Sequence, residues 1–151
     1  MITVGYRLSS SRYPANSGIG AGLHGGRWNP VGVPVIYAAM SPSLAALEIL
    51  VHYETLPTNF SLTSFRIPSR VIIRKLLEHE LPPRWNRKKL IRATQNLGAA
   101  WVHDGHTAVL SVPSSIIPFE RNLVLNPAHP DFHFFRFSPP APFQFDTRLK
   151  Q

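Results

Sequence analysis

The sequence predicts a single α+β domain, and three observations predict it. Several apolar runs are short enough to be strands, helical periodicity is confined to a few segments, and no repeat or change of composition divides the chain. At 151 residues with 44% hydrophobic side chains, the chain is long enough to bury roughly two thirds of its unfolded surface without staples.

The expected elements follow in order. Residues 2–8 read as a short strand, and a turn-rich stretch from Ser9 to Gly26 follows it, holding Pro14 and glycines 18, 20, 22, 25 and 26. A connection of that length inside one domain is usually functional or mobile. Residues 33–39 read as a strand with Val33, Val35 and Tyr37 on one face, and Pro34 suggests that it starts at the sheet edge. Ser41-Pro42 then opens a helix: serine suits the N-cap, and proline suits the first position, whose N–H is unpaired in any case. On that helix Leu44, Leu47 and Val51 form one stripe, with Glu48 in the middle of it. Residues 60–67 and 108–112 read as strands, 71–77 and 87–97 as helices, and 132–137 as a late strand. Prolines 139, 140 and 142 suggest a stiff extended tail over about 138–151.

Composition narrows the class. With no cysteine there is no disulfide framework and no thiolate metal site. No apolar run approaches the ~18 residues of a membrane span, and the N-terminal residues lack a signal-peptide pattern. The expectation is a soluble cytoplasmic protein without membrane contact. Sixteen Lys+Arg against eight Asp+Glu give a formal charge of +8, a field that attracts polyanions, phosphorylated ligands or acidic proteins. Nine of the basic residues fall between Arg66 and Arg92, with only Glu78 and Glu80 among them. That run fits a solvated face as well as a partner surface.

Two features carry chemistry. A carboxylate within an apolar helical stripe costs several kcal/mol if buried alone, so Glu48 needs a partner, a purpose or a helix rotated enough to wet it. The run Gly25-Gly26-Arg27-Trp28-Asn29-Pro30 combines glycines that permit close backbone approach, an arginine able to fork onto phosphate or carboxylate, a large aromatic anchor and an Asn-Pro turn. The same residues would also make an ordinary tight turn.

Gly-Gly-Arg-Trp-Asn-Pro, then Gly32, Ile36-Tyr37-Ala38, Ser41, Ala45 and Glu48, resembles the signature of the RES domain. So do Val112-Pro113-Ser114-Ser115, Asn122, Leu125-Asn126-Pro127 and His129-Pro130 downstream. The likeness runs in order from about Tyr6 to Phe132, and the ordered combination is far more specific than any single motif. The resemblance implies an ADP-ribosyltransferase-like fold with a mixed or antiparallel sheet. It also implies a toxin of a bacterial toxin–antitoxin pair that cleaves the nicotinamide glycosidic bond of NAD⁺. NAD⁺ is then a substrate and no cofactor is implied. The catalytic set carried over is Arg27, Tyr37, Glu48 and a serine taken as Ser114, with Ser111 and Ser115 close by; Gly26, Trp28 and Asn29 join Arg27 and Tyr37 in binding the dinucleotide. The implied partner is an antitoxin with an Xre-like DNA-binding domain, and phosphate is a possible co-substrate.

The residue types suit that reaction. Glycosidases usually need two carboxylates, one of them to protonate the leaving oxygen. Nicotinamide leaves NAD⁺ as a neutral molecule, so a single carboxylate suffices. Glu48 is expected to stabilise the oxocarbenium-like charge, Arg27 to grip pyrophosphate or ribose, Tyr37 to stack on nicotinamide, and Ser114 to position a neighbour. Transfer of ADP-ribose to a macromolecule is the alternative on the same fold. A basic nucleic-acid-binding protein or ribonuclease toxin is a further one.

Other signals carry less. Gly20 to Gly25 spells G-x-G-x-x-G, but the strand–turn–helix context of a dinucleotide fold is missing. His103-Asp104-Gly105-His106 reads first as a turn, with no third metal ligand at useful spacing. The C-terminal phenylalanines read as core or as a packed edge rather than as base-stacking groups.

Overall fold

Alternation in the strands explains how the domain is built. In the computed structural model, which describes residues 2–150, one eight-stranded sheet is formed by β1 (Thr3–Ser10), β2 (Ile36–Ala39), β3 (Phe60–Ile67), β4 (Ile73–Lys75), β5 (Val109–Pro113), β6 (Arg121–Leu125), β7 (Arg136–Phe137) and β8 (Ala141–Phe143). The strand order is β4-β5-β6-β2-β1-β3-β7, with β8 also pairing β3. All pairings are antiparallel except β4 with β5. On β6, Leu123 and Leu125 join a cluster with Ile36, Phe65, Ile67 and Val109, while Val124 joins Trp28, Val35, Leu110, Val112 and Trp101. Successive side chains point to opposite faces, so the sheet is covered on both sides. This is the α+β architecture the sequence predicts.

Three helices complete it: α1 (Ile19–His24), α2 (Pro42–Leu50) and α3 (Arg92–Asp104). α2 is capped as its sequence predicts, with the Ser41 hydroxyl accepting from the Leu44 N–H at 3.1 Å and Pro42 at the first helical position. It packs Leu44, Ala45, Ala46 and Leu50 against Leu8, Ala39, Phe60 and Phe145. The buried stripe is rotated from the expected one: Val51 is the exposed C-cap, and Leu47 and Glu48 sit half-buried at its margin.

Several expected elements are corrected. Residues 71–77 hold strand β4 rather than a helix; Val71-Ile72-Ile73 is a run of β-branched residues, and β4 finds a parallel partner in β5. The helix expected over 87–97 is α3, which begins at Arg92 and continues to Asp104. Gly105 ends it in the left-handed conformation (φ 64°), returning its N–H to the Trp101 carbonyl. The run over 132–137 begins as a 3₁₀ turn (Pro130–Phe134), because Pro130 takes the first helical position and the His129 ring accepts from the Asp131 N–H; only Arg136–Phe137 is strand. Residues 138–150 are not a tail apart from the fold: β8 lies on β3, and Phe143 and Phe145 close the cluster under α2. Pro34 precedes a strand that lies in the sheet interior, between β6 and β1, instead of starting at an edge. The glycine-rich stretch contains α1, six residues with none buried. Its G-x-G-x-x-G spelling lies largely within that helix and not at a strand-to-helix turn.

α3 holds the Arg27 segment in place by backbone contact. A Cβ on Gly98 would stand 1.6 Å from the Trp28 carbonyl oxygen, and backbone cannot swing aside. We therefore expect Gly98→Ala to destabilise the fold by about 3 kcal/mol, visible as a lower midpoint in urea unfolding followed by circular dichroism.

Candidate active site

Glu48 acquires its partners from segments distant in the chain. β2 runs into Ser41 and α2, which swings Glu48 over β6. Asn122 on β6 pairs with Ala39 on β2 and with Val112 on β5. Ser114 stands one residue past the end of β5. Both side chains donate to the same carboxylate oxygen: Ser114 Oγ lies 2.7 Å, and Asn122 Nδ2 2.8 Å, from Glu48 Oε1. Glu48 Oε2 has no hydrogen-bond partner among the described residues. The sequence requires a partner for Glu48; the structure supplies two neutral donors rather than a cation.

Ser114 is 1% exposed, and its hydroxyl also accepts from the Ile116 and Ile117 N–H groups at 3.1 and 3.0 Å. Two accepted bonds fix the oxygen and leave its proton for Glu48. Of the three candidate serines, this is the one joined to the carboxylate. The Ser111 hydroxyl accepts from Arg121 Nε at 2.8 Å, and Ser115 lines a neighbouring cleft.

Tyr37 organises the Gly-Gly-Arg-Trp-Asn turn. Its hydroxyl donates to Asn29 Oδ1 at 2.5 Å and accepts from the Trp28 N–H at 3.0 Å. Burial raises its pKa, with the Trp28 and Asn29 bonds and nearby Arg27 working the other way, so it remains a neutral phenol near neutrality. Asn29, fully buried, spends its amide on the carbonyls of Ala21 and Val33 at 2.8 and 2.9 Å. Trp28 is buried against Trp101 and Leu110. A Cβ on Gly26 would meet the Tyr37 hydroxyl at 2.7 Å, and Gln95 on α3 donates to the Gly26 carbonyl at 3.0 Å. The turn's glycine thus makes room for Tyr37. Gly26, Trp28 and Asn29, expected beside the dinucleotide, here shape the turn that carries Arg27.

Arg27 is half-buried, and its Nη1 donates to the carbonyls of Trp85 and Arg87 at 2.5 and 3.0 Å. Burial lowers its pKa, while Glu48 and Tyr37 oppose that shift. The guanidinium therefore lies in the electrostatic field of Glu48, but the two make no direct ion pair. By holding the loop at 85–87, Arg27 also anchors the basic run: all nine Lys and Arg side chains from Arg66 to Arg92 are exposed.

A cavity of about 280 Å³ that Ser114 borders is lined also by Trp85, Asn86, Ser115, Pro118 and Arg121. Ser114 is the one expected catalytic residue on its wall. A cleft of about 310 Å³ along β1 and β3, lined by Ser9, Ser61, Thr63 and Phe137 among others, holds none of the expected site residues.

Two residues were missed from the sequence. Arg7 on β1 donates from Nη1 to the Tyr37 carbonyl at 2.9 Å, while its buried Nε finds no partner. Burial pushes its pKa down to about 10, which still leaves it charged at neutral pH. The sequence gives Arg7 no role beyond membership of the short strand over residues 2–8, since nothing local shows that both sheet faces are covered. Asn122 belonged to the resemblance, but no role could be assigned to it without its pairing to Ala39.

A carboxylate fixed by two donors, with the Arg27 guanidinium in its field, on a curled, mostly antiparallel sheet defines a site that can attract an anionic ligand and stabilise developing positive charge. Comparison with known proteins places it. The RES domain family model matches residues 5–146. The chain is 42% identical over 150 residues to Toxin Res of Photorhabdus laumondii, covering 95% of each. It is 39% identical over 137 residues to the Prs ADP-ribosylating toxin of a Sphingobium species, covering 88% of this chain and 85% of that one. A solved toxin–antitoxin complex of M. tuberculosis, MbcT–MbcA, contains a chain of the same fold, with a TM-score of 0.75 and 19% identity, over 95% of this chain and 85% of that chain. The chain belongs to the RES-domain family, whose relatives named above are toxins. Among its described residues no helix is long and apolar enough to cross a membrane.

The Tyr37 hydroxyl satisfies two buried groups at once. Tyr37→Phe should therefore cost roughly 2 kcal/mol of stability, measured by chemical denaturation; an unchanged midpoint would remove Tyr37 as the organiser of the turn.

Proposed function

We propose that the chain is a toxin that cleaves the nicotinamide glycosidic bond of NAD⁺, with Glu48 as the charge-stabilising carboxylate. The observation that carries this reading is the Glu48 geometry, with one oxygen held by Ser114 and Asn122 and the other free. In the reaction the bond between ribose C1′ and the pyridinium nitrogen breaks, and its electron pair returns to nicotinamide, which leaves neutral. The positive charge that develops on the ribose faces Glu48 Oε2, where a fixed carboxylate stabilises the transition state more than the ground state. Water or phosphate then adds to C1′, giving ADP-ribose and a proton or ADP-ribose 1″-phosphate. No general acid is required, which agrees with a site built around one carboxylate.

Arg27 and Arg7 supply the positive charge that draws the pyrophosphate in. Arg27 engages it through the guanidinium edge not bonded to Trp85 and Arg87, and Arg7 through its field. Tyr37 acts as the post between these cations, bound to the Arg27 turn through its hydroxyl and to Arg7 through its carbonyl. The exposed basic run from Arg66 to Arg92 suits an acidic partner, and the solved complex of the M. tuberculosis neighbour with an antitoxin supports a cognate antitoxin here, with the Xre-like DNA-binding type as the expected kind.

A second reading keeps the bond cleavage and changes the acceptor. The Sphingobium relative is named for ADP-ribosylation of Prs, which favours transfer of ADP-ribose to a protein. With NAD⁺ labelled in the adenylate moiety, label in free ADP-ribose or its phosphate supports the first reading, and label retained on protein supports the second. Both readings share one requirement. Glu48→Gln keeps an oxygen to accept from Ser114 and Asn122 but removes the charge, so nicotinamide release should fall at least ~10²-fold while the melting temperature stays near that of the wild type. Near-normal release by Glu48→Gln would overturn the assignment.

A further inference from the structure

We infer that Asn122 is a positioning residue for the reaction, holding Glu48 so that Oε2 faces the substrate; this rests on the reading of Glu48 given above. Asn122 lies within β6, the register partner of Ala39, and reaches the carboxylate from beneath as Ser114 reaches it from the loop. Its amide orientation is fixed by chemistry: a carboxylate accepts, so the NH₂ must face Glu48. The consequence is that Asn122 Oδ1 is buried with no partner. A buried acceptor left unpaired is a cost that an apolar side chain of the same shape would avoid. Asn122 therefore does not serve packing best at this position. Its donor does something Leu could not: together with the Ser114 hydroxyl it converges on one oxygen, fixing the rotation of the carboxylate about its axis. One donor alone would leave the carboxylate free to turn and exchange its oxygens. Two donors from different elements define which oxygen is free, and small misplacements of a reacting group lower rates by roughly 10²-fold.

The test uses nicotinamide release from NAD⁺ and thermal melting on Asn122→Leu, Asn122→Asp, Glu48→Gln, Asn122→Leu/Glu48→Gln and Asn122→Asp/Glu48→Gln. Asn122→Leu is expected to lower kcat roughly 10²-fold with KM within about threefold; the lost hydrogen bond to the carboxylate also lowers the melting temperature, so the kinetic comparison between backgrounds carries the test. In the Glu48→Gln background the same substitution should lower kcat no further, because Asn122 acts through that carboxylate. Asn122→Asp should lower the melting temperature by placing like charges together, and lower it less when residue 48 is Gln. Equal kcat losses in both backgrounds would make Asn122 a structural residue and overturn the proposal. Wild-type kcat in Asn122→Leu would overturn it too. If the wild-type chain releases no nicotinamide, the reading of the reaction fails and the positioning role for that reaction fails with it; the melting temperatures of the Asn122→Asp pair then still report the Asn122–Glu48 contact.

Discussion

The site depends on one carboxylate oxygen. Glu48 Oε1 is where α2, the end of β5 and the start of β6 meet, through Ser114 and Asn122. The constraint is electrostatic. A half-buried carboxylate on the margin of an apolar helix face needs donors, and the sheet delivers two of them without adding a cation that would neutralise it. The negative charge is thereby kept, and the carboxylate is held by donors from two different elements. Ser114 extends the constraint further, because its oxygen also accepts two backbone N–H groups of the following loop.

A second hub, Tyr37, performs the matching task for positive charge. Its hydroxyl holds the Trp28–Asn29 turn, its carbonyl receives Arg7, and Gly26 leaves it room. Gln95 and Gly98 on α3 then press that turn from behind. Residues that look like ligand contacts in the sequence thus divide into two groups. Gly26, Trp28 and Asn29 build the platform, while Arg27, standing on it, points its charge toward the 85–87 loop and shares the field of Glu48. The platform explains the Gly-Gly-Arg-Trp-Asn run without asking each member to touch substrate.

Family membership and geometry speak to different questions. The RES domain match and the toxin relatives place the chain among toxins. The arrangement around Glu48 bears on what chemistry such a toxin would carry out. Of the exposed basic run, the stretch around Arg87 belongs to the loop that Arg27 holds, whereas Arg66 on β3 lies at the other end of the sheet from Arg74 and Lys75 on β4.

By itself the sequence determined what local rules govern. The β3 boundaries follow from a run of alternating strand formers. The start of α2 follows from Ser41-Pro42, whose capping chemistry needs no tertiary contact. The demand that Glu48 be partnered follows from helical periodicity alone. Tertiary structure decided what depends on distant chain meeting. Ile73–Lys75 became strand once β5 offered an open edge, and the Pro/Phe-rich end became part of the sheet because β3 had room beside it. The choice of Ser114 over Ser111 and Ser115, the contact of Asn122 with Glu48 and the bond from Arg7 to the Tyr37 carbonyl are likewise invisible in sequence. Each is set by which strand faces which, and a hydrogen bond between residues 66 or 74 positions apart leaves no local signal to read.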